Sequence, residues 1–345
     1  MNRELIITGP GQVAWRDVPD PTLEQGQVLV RCSHAAEKHG TMAAFFKGYG
    51  NARGRWDGDW KLHRPGDGMV WSYPIPAGNM AVGRVEAVGA GVTRVARGDR
   101  VLCYSPFRRV SAVPERACWR IADAVPWQSA VCADPGVFAL GAIRDGGVRL
   151  GDHVAIFGLG AIGLVAVQLA RAAGATVYAI DPVAERRALA MRFGAVAAFS
   201  GSEDVGFLLK ERTGCRGVDV AIDFSGAVPA LQASLRGVAY GGAIVCGAFP
   251  PPHRSGLDFG GEAHMNRPRI IFSRGCSDPN PDHPRWDEAR LLDTVVERIA
   301  DGTIDGRDII APVVGFATCA EAYALVAADP GKAVKLGVDY SLQEA

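Results

Sequence analysis

Apolar positions change rhythm along the chain. Up to about residue 126 they come in short runs cut by Gly, Pro and Asp, at 5–7, 12–16, 27–31, 81–88 and 98–104. Short strands at this spacing predict a small β-barrel. From about 135 to 280, strand-like runs alternate with runs of helical period. Strands are predicted at 154–157, 176–180, 218–223, 243–248 and 270–274, with helices over 183–194, 203–213 and 228–238. That alternation predicts an α/β, doubly wound parallel sheet. After Pro284 the pattern gives an amphipathic helix over 286–301, a strand-like run over 309–316 whose proline puts it at an edge, a short helix over 319–328 and a last strand over 333–338.

The alternating region opens on Val154-Ala-Ile-Phe-Gly158-Leu159-Gly160-Ala161-Ile162-Gly163 and runs on into an apolar helix. In this dinucleotide fingerprint Gly158 permits the tight strand-to-helix turn. Gly160 lets backbone amides approach a pyrophosphate, and Gly163 lets helix and strand pack closely. The open helix start attracts an anion through its unpaired N–H groups and its dipole. The next strand ends in Asp181-Pro182, close to the offset of about 20 residues at which an acid binds the ribose 2′-hydroxyl of NAD. Asp181 repels a 2′-phosphate, so NAD is expected over NADP. Arg186 either flanks the adenosine ribose or is a solvated helix charge. Ser225, Gly247, Ala248, Phe249 and Ser273 fall at or near carboxyl ends of later strands, where a dinucleotide lies.

Composition narrows the class. The 345 residues suggest about two domains, and a 48% hydrophobic content is ample for two cores. A formal net charge of +0 gives no electrostatic case for nucleic acid or an anionic membrane. No apolar run reaches the ~18 residues that span a bilayer. Residues 1–7 lack the apolar region of a signal peptide. The 8 cysteines are scattered without a CxxC, as expected of reduced thiols in the cytoplasm, and closely spaced zinc-ligand cysteines are missing. One polar, aromatic stretch over 49–65 carries Trp56, Trp60 and His63, and reads either as a lid over substrate or as a subunit contact.

The whole chain resembles the medium-chain dehydrogenase/reductases, the zinc-type alcohol dehydrogenase superfamily. The resemblance rests on Gly83-Arg-Val-Glu-Ala-Val-Gly-Ala-Gly-Val with Gly98-Asp-Arg-Val, on Leu150-Gly-Asp before the glycine turn, and on Phe316, Glu321-Ala-Tyr and Lys332-Ala-Val-Lys-Leu near the end. It implies a GroES-like catalytic domain over 1–134, a Rossmann NAD-binding domain over 135–284 and a return to the catalytic domain over 285–345. It also implies an active site in the cleft between them and a homodimer or homotetramer joined through the Rossmann sheet.

The chain departs from the zinc-binding pattern at each ligand position. His39-Gly40-Thr41-Met42 stands where zinc members carry Cys-x-[Ser/Thr]-Asp. Gly78-Asn79-Met80 replaces Gly-His-Glu, and Asp134-Pro135 falls at the third position. Asn and Met are poor ligands; His39 and Asp134 alone are plausible ones, and a catalytic site needs three, so no metal is expected. Lys38-His-Gly-Thr41 and Glu262-Ala-His264-Met-Asn266, with Trp286 following, resemble a subset of the superfamily that oxidises or reduces secondary alcohols in biosynthesis.

Without zinc, such chemistry needs a base, and donors where negative charge develops. Thr41 aligns with the family's relay hydroxyl. His39, two residues away, has an ordinary pKa of about 6.5, suited to proton transfer, and shares a face with Thr41 if the segment is extended. Thr41 alternatively caps a helix beginning at Met42, and His39 alternatively is a core histidine. Asn79 and Asp134 either hydrogen-bond substrate hydroxyls or are remnants of a metal site, and Asp134 can equally fix a turn before Pro135. Trp56 and His264 complete the substrate candidates, with a structural or interface role open for His264; Glu37 and Tyr73 are weaker acid/base candidates.

The function expected is a zinc-independent, NAD(H)-dependent oxidoreductase of a secondary alcohol or ketone, with a polar polyol, cyclitol or sugar-like small molecule as substrate. The alternatives are an enoyl or quinone reductase using NADPH, or a non-catalytic nucleotide-binding relative.

Overall fold

The computed structural model describes residues 2–38, 40–48, 54–64, 72–253, 255–275 and 284–342. The chain divides into two compact units, Met1–Val131 with Ile310–Ala345, and Cys132–Ile309.

The first unit is mostly antiparallel β. Its larger sheet runs in the order Cys118–Arg120, Arg100–Pro106, Gly78–Val88, Gln27–Ala36, Lys335–Asp339, Ile310–Gly315, with Val110–Pro114 also paired to Gln27–Ala36. A smaller sheet joins Gln12–Val18, Asn2–Gly9 and Ile75–Pro76. Alternation explains the larger sheet: Val28, Val30 and Cys32 point inward along Gln27–Ala36, and residues between them are less buried. The two ends of the chain meet here, since Gly337, Val338 and Asp339 pair with Ala36, Ala35 and His34. The register with Gly78–Val88 sets Ala36 opposite Met80. One more step along both strands leads to Glu37 and Asn79.

The polar stretch over 49–65 is not wholly irregular. It contains a hairpin, Arg55–Asp57 with Leu62–Arg64. Asp57 holds the turn by accepting the N–H groups of Asp59 and Trp60 and the Arg64 guanidinium.

The second unit carries a six-stranded sheet ordered Ala197–Phe199, Thr176–Ile180, His153–Phe157, Val218–Asp223, Val238–Cys246, Arg269–Phe272, parallel throughout. Val154, Ala155, Ile156 and Phe157 are all buried, as expected for a parallel strand covered on both faces. The helix Glu288–Ala300 starts at Asp287, whose carboxylate accepts the Arg290 N–H, and buries Leu291, Leu292, Val295 and Ile299. It packs on Ala133–Asp145, where a Cβ on Gly136 would lie 2.4 Å from Val295. The return to the first unit therefore comes at Ile310, not at residue 285, because this helix belongs to the second unit's core. The seven described cysteines are free, and no helix among the described residues is long and apolar enough to cross a membrane.

Candidate active site

Carboxyl ends of successive parallel strands gather the cofactor candidates in the second unit. Gly158 follows His153–Phe157, Asp181 follows Thr176–Ile180, and Ser225 follows Val218–Asp223 by two residues. Gly247, Ala248 and Phe249 follow Val238–Cys246, and Ser273 follows Arg269–Phe272. Main-chain bonds tie these ends together: Phe224 N–H to the Phe157 carbonyl at 2.8 Å, Gly247 N–H to Asp223 at 2.9 Å, and Ser273 N–H to Cys246 at 3.0 Å.

Glycine is required at two positions of this turn and helix start for reasons internal to the protein. Gly158 has φ 84°, and a Cβ there would meet Ser225 N at 2.6 Å. A Cβ on Gly163 would lie 1.9 Å from the Gly158 carbonyl oxygen. Gly160 differs, since a Cβ there would meet no protein atom within 4 Å. It is the N-cap of the 12-residue helix Ala161–Ala172, which includes Ile162 in its first turn. Open space at the start of a long helix fits the pyrophosphate of a dinucleotide.

Asp181 is buried beside this loop. Its carboxylate accepts Leu159 N–H at 2.7 Å and Val183 N–H at 2.8 Å, and Arg186 Nη1 lies 3.9 Å away. Arg186 is therefore not a solvated charge: its side chain is 15% exposed and turns toward Asp181. Arg187 caps the same strand end, donating to the carbonyls of Asp181 at 2.7 Å and Pro182 at 2.8 Å. Sequence reasoning passed over Arg187, and also Asp223. The Asp223 carboxylate accepts the Ser225 hydroxyl at 2.6 Å and the Ser225 and Gly226 N–H groups, while burial pushes its pKa up. Its position at a carboxyl strand end, two residues before Ser225, was the available signal.

Asp134 lies in the second unit, buried in the first turn of Ala133–Asp145. The expectation of a turn before Pro135 is corrected: proline is accepted there because first-turn N–H groups have no helical acceptor to lose. His264 sits exposed on the short helix Glu262–Asn266.

The first unit places Thr41 and Asn79. Thr41 is the first residue of the helix Thr41–Lys47, and the N-cap is Gly40. The capping role considered for Thr41 is thus overturned, and the extended geometry that would align it with residue 39 is absent at Gly40, with φ −14° and ψ −35°. His39 itself lies outside the described residues. Asn79 stands at the start of Gly78–Val88, opposite Ser105. Ser105 is engaged elsewhere, with Ser111 Oγ at 2.7 Å and the Pro106 carbonyl at 2.9 Å. The Asn79 Nδ2 is buried and finds no acceptor among the described residues. Trp56 is 50% exposed on the hairpin, edge-on to His63 at 5.1 Å.

At the second zinc-ligand position the chain presents Asn79 and Met80, neither of them a usual ligand of a catalytic zinc. The buried Asn79 atom without a partner is placed as the amide nitrogen, a hydrogen-bond donor. Met80 next to it is fully buried in the first unit. Among the described residues no three His, Cys, Asp or Glu side chains come together in a way that could hold a metal ion.

Comparison with known proteins agrees with both halves of the chain. Residues 24–139 match the alcohol dehydrogenase GroES-like domain and residues 161–289 the zinc-binding dehydrogenase model. The chain is 39% identical to a D-guloside 3-dehydrogenase of Escherichia coli K12 over 349 aligned positions, covering 98% of this chain and 100% of the relative. The crystal structure of 2R,3R-butanediol dehydrogenase from Bacillus subtilis superposes with a TM-score of 0.78 at 19% identity, over 98% of this chain and 99% of that one. An alcohol dehydrogenase of E. coli CFT073, solved with NADH, gives 0.77 at 20% identity, over 98% and 99%. The fold is a GroES-like domain joined to a Rossmann-type parallel sheet, and the chain belongs to the medium-chain, zinc-type alcohol dehydrogenase superfamily.

Proposed function

We propose that the protein is an NAD(H)-dependent dehydrogenase of a secondary hydroxyl on a sugar ring, such as the 3-position of a glycoside, and that it works without a catalytic metal. The observation that carries the reading is the open phosphate cradle at Gly160 beside the buried Asp181 carboxylate. It occurs in a chain 39% identical along nearly its whole length to a D-guloside 3-dehydrogenase.

Gly158–Gly163 would hold the pyrophosphate, with Asp181, Pro182 and Arg186 at the adenosine ribose, and Ser225, Gly247, Ala248, Phe249 and Ser273 along the remaining strand ends. When bound, the nicotinamide supplies the hydride acceptor or donor. The protein's task is to manage the hydroxyl proton and the charge left on oxygen. Thr41 passes the proton, and the Asn79 amide donates to the oxygen as negative charge grows there; His39 is kept as the base that finally takes the proton, without the extended segment that would have set it on the same face as Thr41. Asp134, Trp56 and His264 are assigned to the remaining sugar hydroxyls and ring face.

Chelator-treated protein, with metal content measured, should retain turnover of a glycoside with NAD+. In the same assay NADP+ should be used at least ~10-fold less well in kcat/KM, because Asp181 opposes a 2′-phosphate. Activity abolished by chelation and restored by zinc would end the metal-free reading. NADPH-dependent reduction of an enone without alcohol oxidation would favour the reductase alternative.

We also propose that the protein is a homodimer or homotetramer built on the outer strand of the parallel sheet. Arg269–Phe272 is an edge strand on which Ile270 and Phe272 are exposed, and Tyr240 and Met265 are exposed nearby in sequence to its neighbouring elements. Light scattering should give the mass of two or four chains, and Phe272→Asp should lower it. A single-chain mass for the parent protein would rule the assembly out.

A further inference from the structure

Two ionisable side chains, those of Glu37 and Lys335, are buried where the two ends of the chain meet. Lys335 is fully buried in Lys335–Asp339, and its Nζ donates to the main-chain carbonyl of Glu37. Glu37 is buried too. Its N–H donates to the Leu336 carbonyl at 3.0 Å, and its carboxylate Oε1 accepts the Leu336 N–H at 2.9 Å. The residue at which the chain leaves Gln27–Ala36 is thus held through its N–H, its carbonyl and its side chain.

Such a pair is a poor way to gain stability. Desolvating two charges costs several kcal/mol, and well-packed apolar replacements are often neutral or better. What the pair adds is direction. The chain leaving this point reaches Thr41 in four residues, and Thr41 opens a helix of only 7 residues. A helix that short does not fix its own position. Its anchors come from outside: Glu37 and Lys335 before it, and at its far end the Tyr73 hydroxyl donating to the Phe45 carbonyl, with Phe46 packed edge-on to the buried Tyr323 at 6.0 Å.

We propose that Glu37 and Lys335 are positioning residues, whose buried pair sets the path of the chain out of the sheet and so the place of the Thr41 hydroxyl. This rests on the reading that Thr41 passes the substrate proton. The double substitution Glu37→Gln, Lys335→Met removes both ionisable groups together. It should keep Tm within about 4 °C of the parent and leave NAD+ affinity unchanged. It should also lower kcat by about 10- to 100-fold, the scale of a misplaced reacting group.

The deciding comparison is with Thr41→Val. Thr41→Val alone should lower kcat, and the double substitution added to it should cost nothing more than about 2-fold, since the group being positioned is gone. If Thr41→Val cripples turnover while the double variant matches the parent, the positioning role is overturned and the role of Thr41 stands. If Thr41→Val leaves kcat untouched, the reading of Thr41 falls and the positioning role with it. Should the double variant fail to fold, Lys335→Arg keeps the charge and moves the donor. It should fold, bind NAD+ normally and lose kcat by about 10-fold, and an unchanged kcat would overturn the proposal.

Discussion

Asn79→Ala should lower kcat by about 10²- to 10³-fold, the usual loss when one donor to a developing oxyanion is removed. The same substitution should leave the protein as stable as before, or more stable. Both expectations come from one fact: the Asn79 Nδ2 is buried without an acceptor among the described residues. An unsatisfied buried donor costs about 1–3 kcal/mol, so removing it relieves the folded state. On the proposed reading, that donor meets its acceptor when substrate arrives. Asn79→Asp tests the sign of the interaction, since it keeps the shape and removes the hydrogens. It should lose kcat at least as severely, because a carboxylate repels a growing alkoxide. Steady-state kinetics with a glycoside, alongside thermal melts, checks both. A fall in Tm together with unchanged kcat would show that Asn79 serves the fold and leave the substrate oxygen without its assigned donor.

Gly163→Ala should abolish measurable cofactor binding and cost the fold as well. Its Cβ would sit 1.9 Å from the carbonyl oxygen and 3.0 Å from the carbonyl carbon of Gly158, both main-chain atoms. No rotamer change relieves that contact; either the loop or the helix Ala161–Ala172 must move. Overpacking of this kind costs about 1–3 kcal/mol or more, and the movement would open the cradle that the loop forms. Gly160→Ala is the informative contrast. Its Cβ would touch no protein atom within 4 Å, so Tm should be unchanged while the space for the pyrophosphate is lost. NAD+ titration by fluorescence and a thermal melt separate the two. Equal losses of Tm would mean that Gly160 is needed by the fold, and undiminished affinity in Gly160→Ala would place the pyrophosphate elsewhere.

The parallel sheet of the second unit was largely legible before the structure. Its strands read as apolar runs because both faces of a parallel sheet are covered, and the glycine spacing is local. The helix Ala133–Asp145 was not read, because Pro135, Gly136 and Gly141 look like loop residues. It is helical because those glycines face close neighbours: a Cβ on Gly136 would meet Val295 at 2.4 Å, and one on Gly141 would meet Gly275 at 3.2 Å. The hairpin around Trp60 was hidden for another reason. Its order comes from polar bonds to Asp57, not from an apolar pattern. The helix start near Thr41 was expected one residue too late, at Met42, since Gly40 and not Thr41 is the N-cap.

By itself the sequence determined the turn from His153–Phe157 into Ala161–Ala172 and its acid at Asp181. The bonds between its loop and its acid join residues close along the chain, with Leu159 and Asp181 only 22 positions apart. Local spacing is enough to specify such a device. Only the tertiary structure decided which buried polar groups are paired. Glu37 finds Lys335 and Leu336 across 298 and 299 positions, while Asn79 lies beside a serine already bonded elsewhere. The cost of burying a polar atom depends on what surrounds it in space, and those neighbours come from distant parts of the chain.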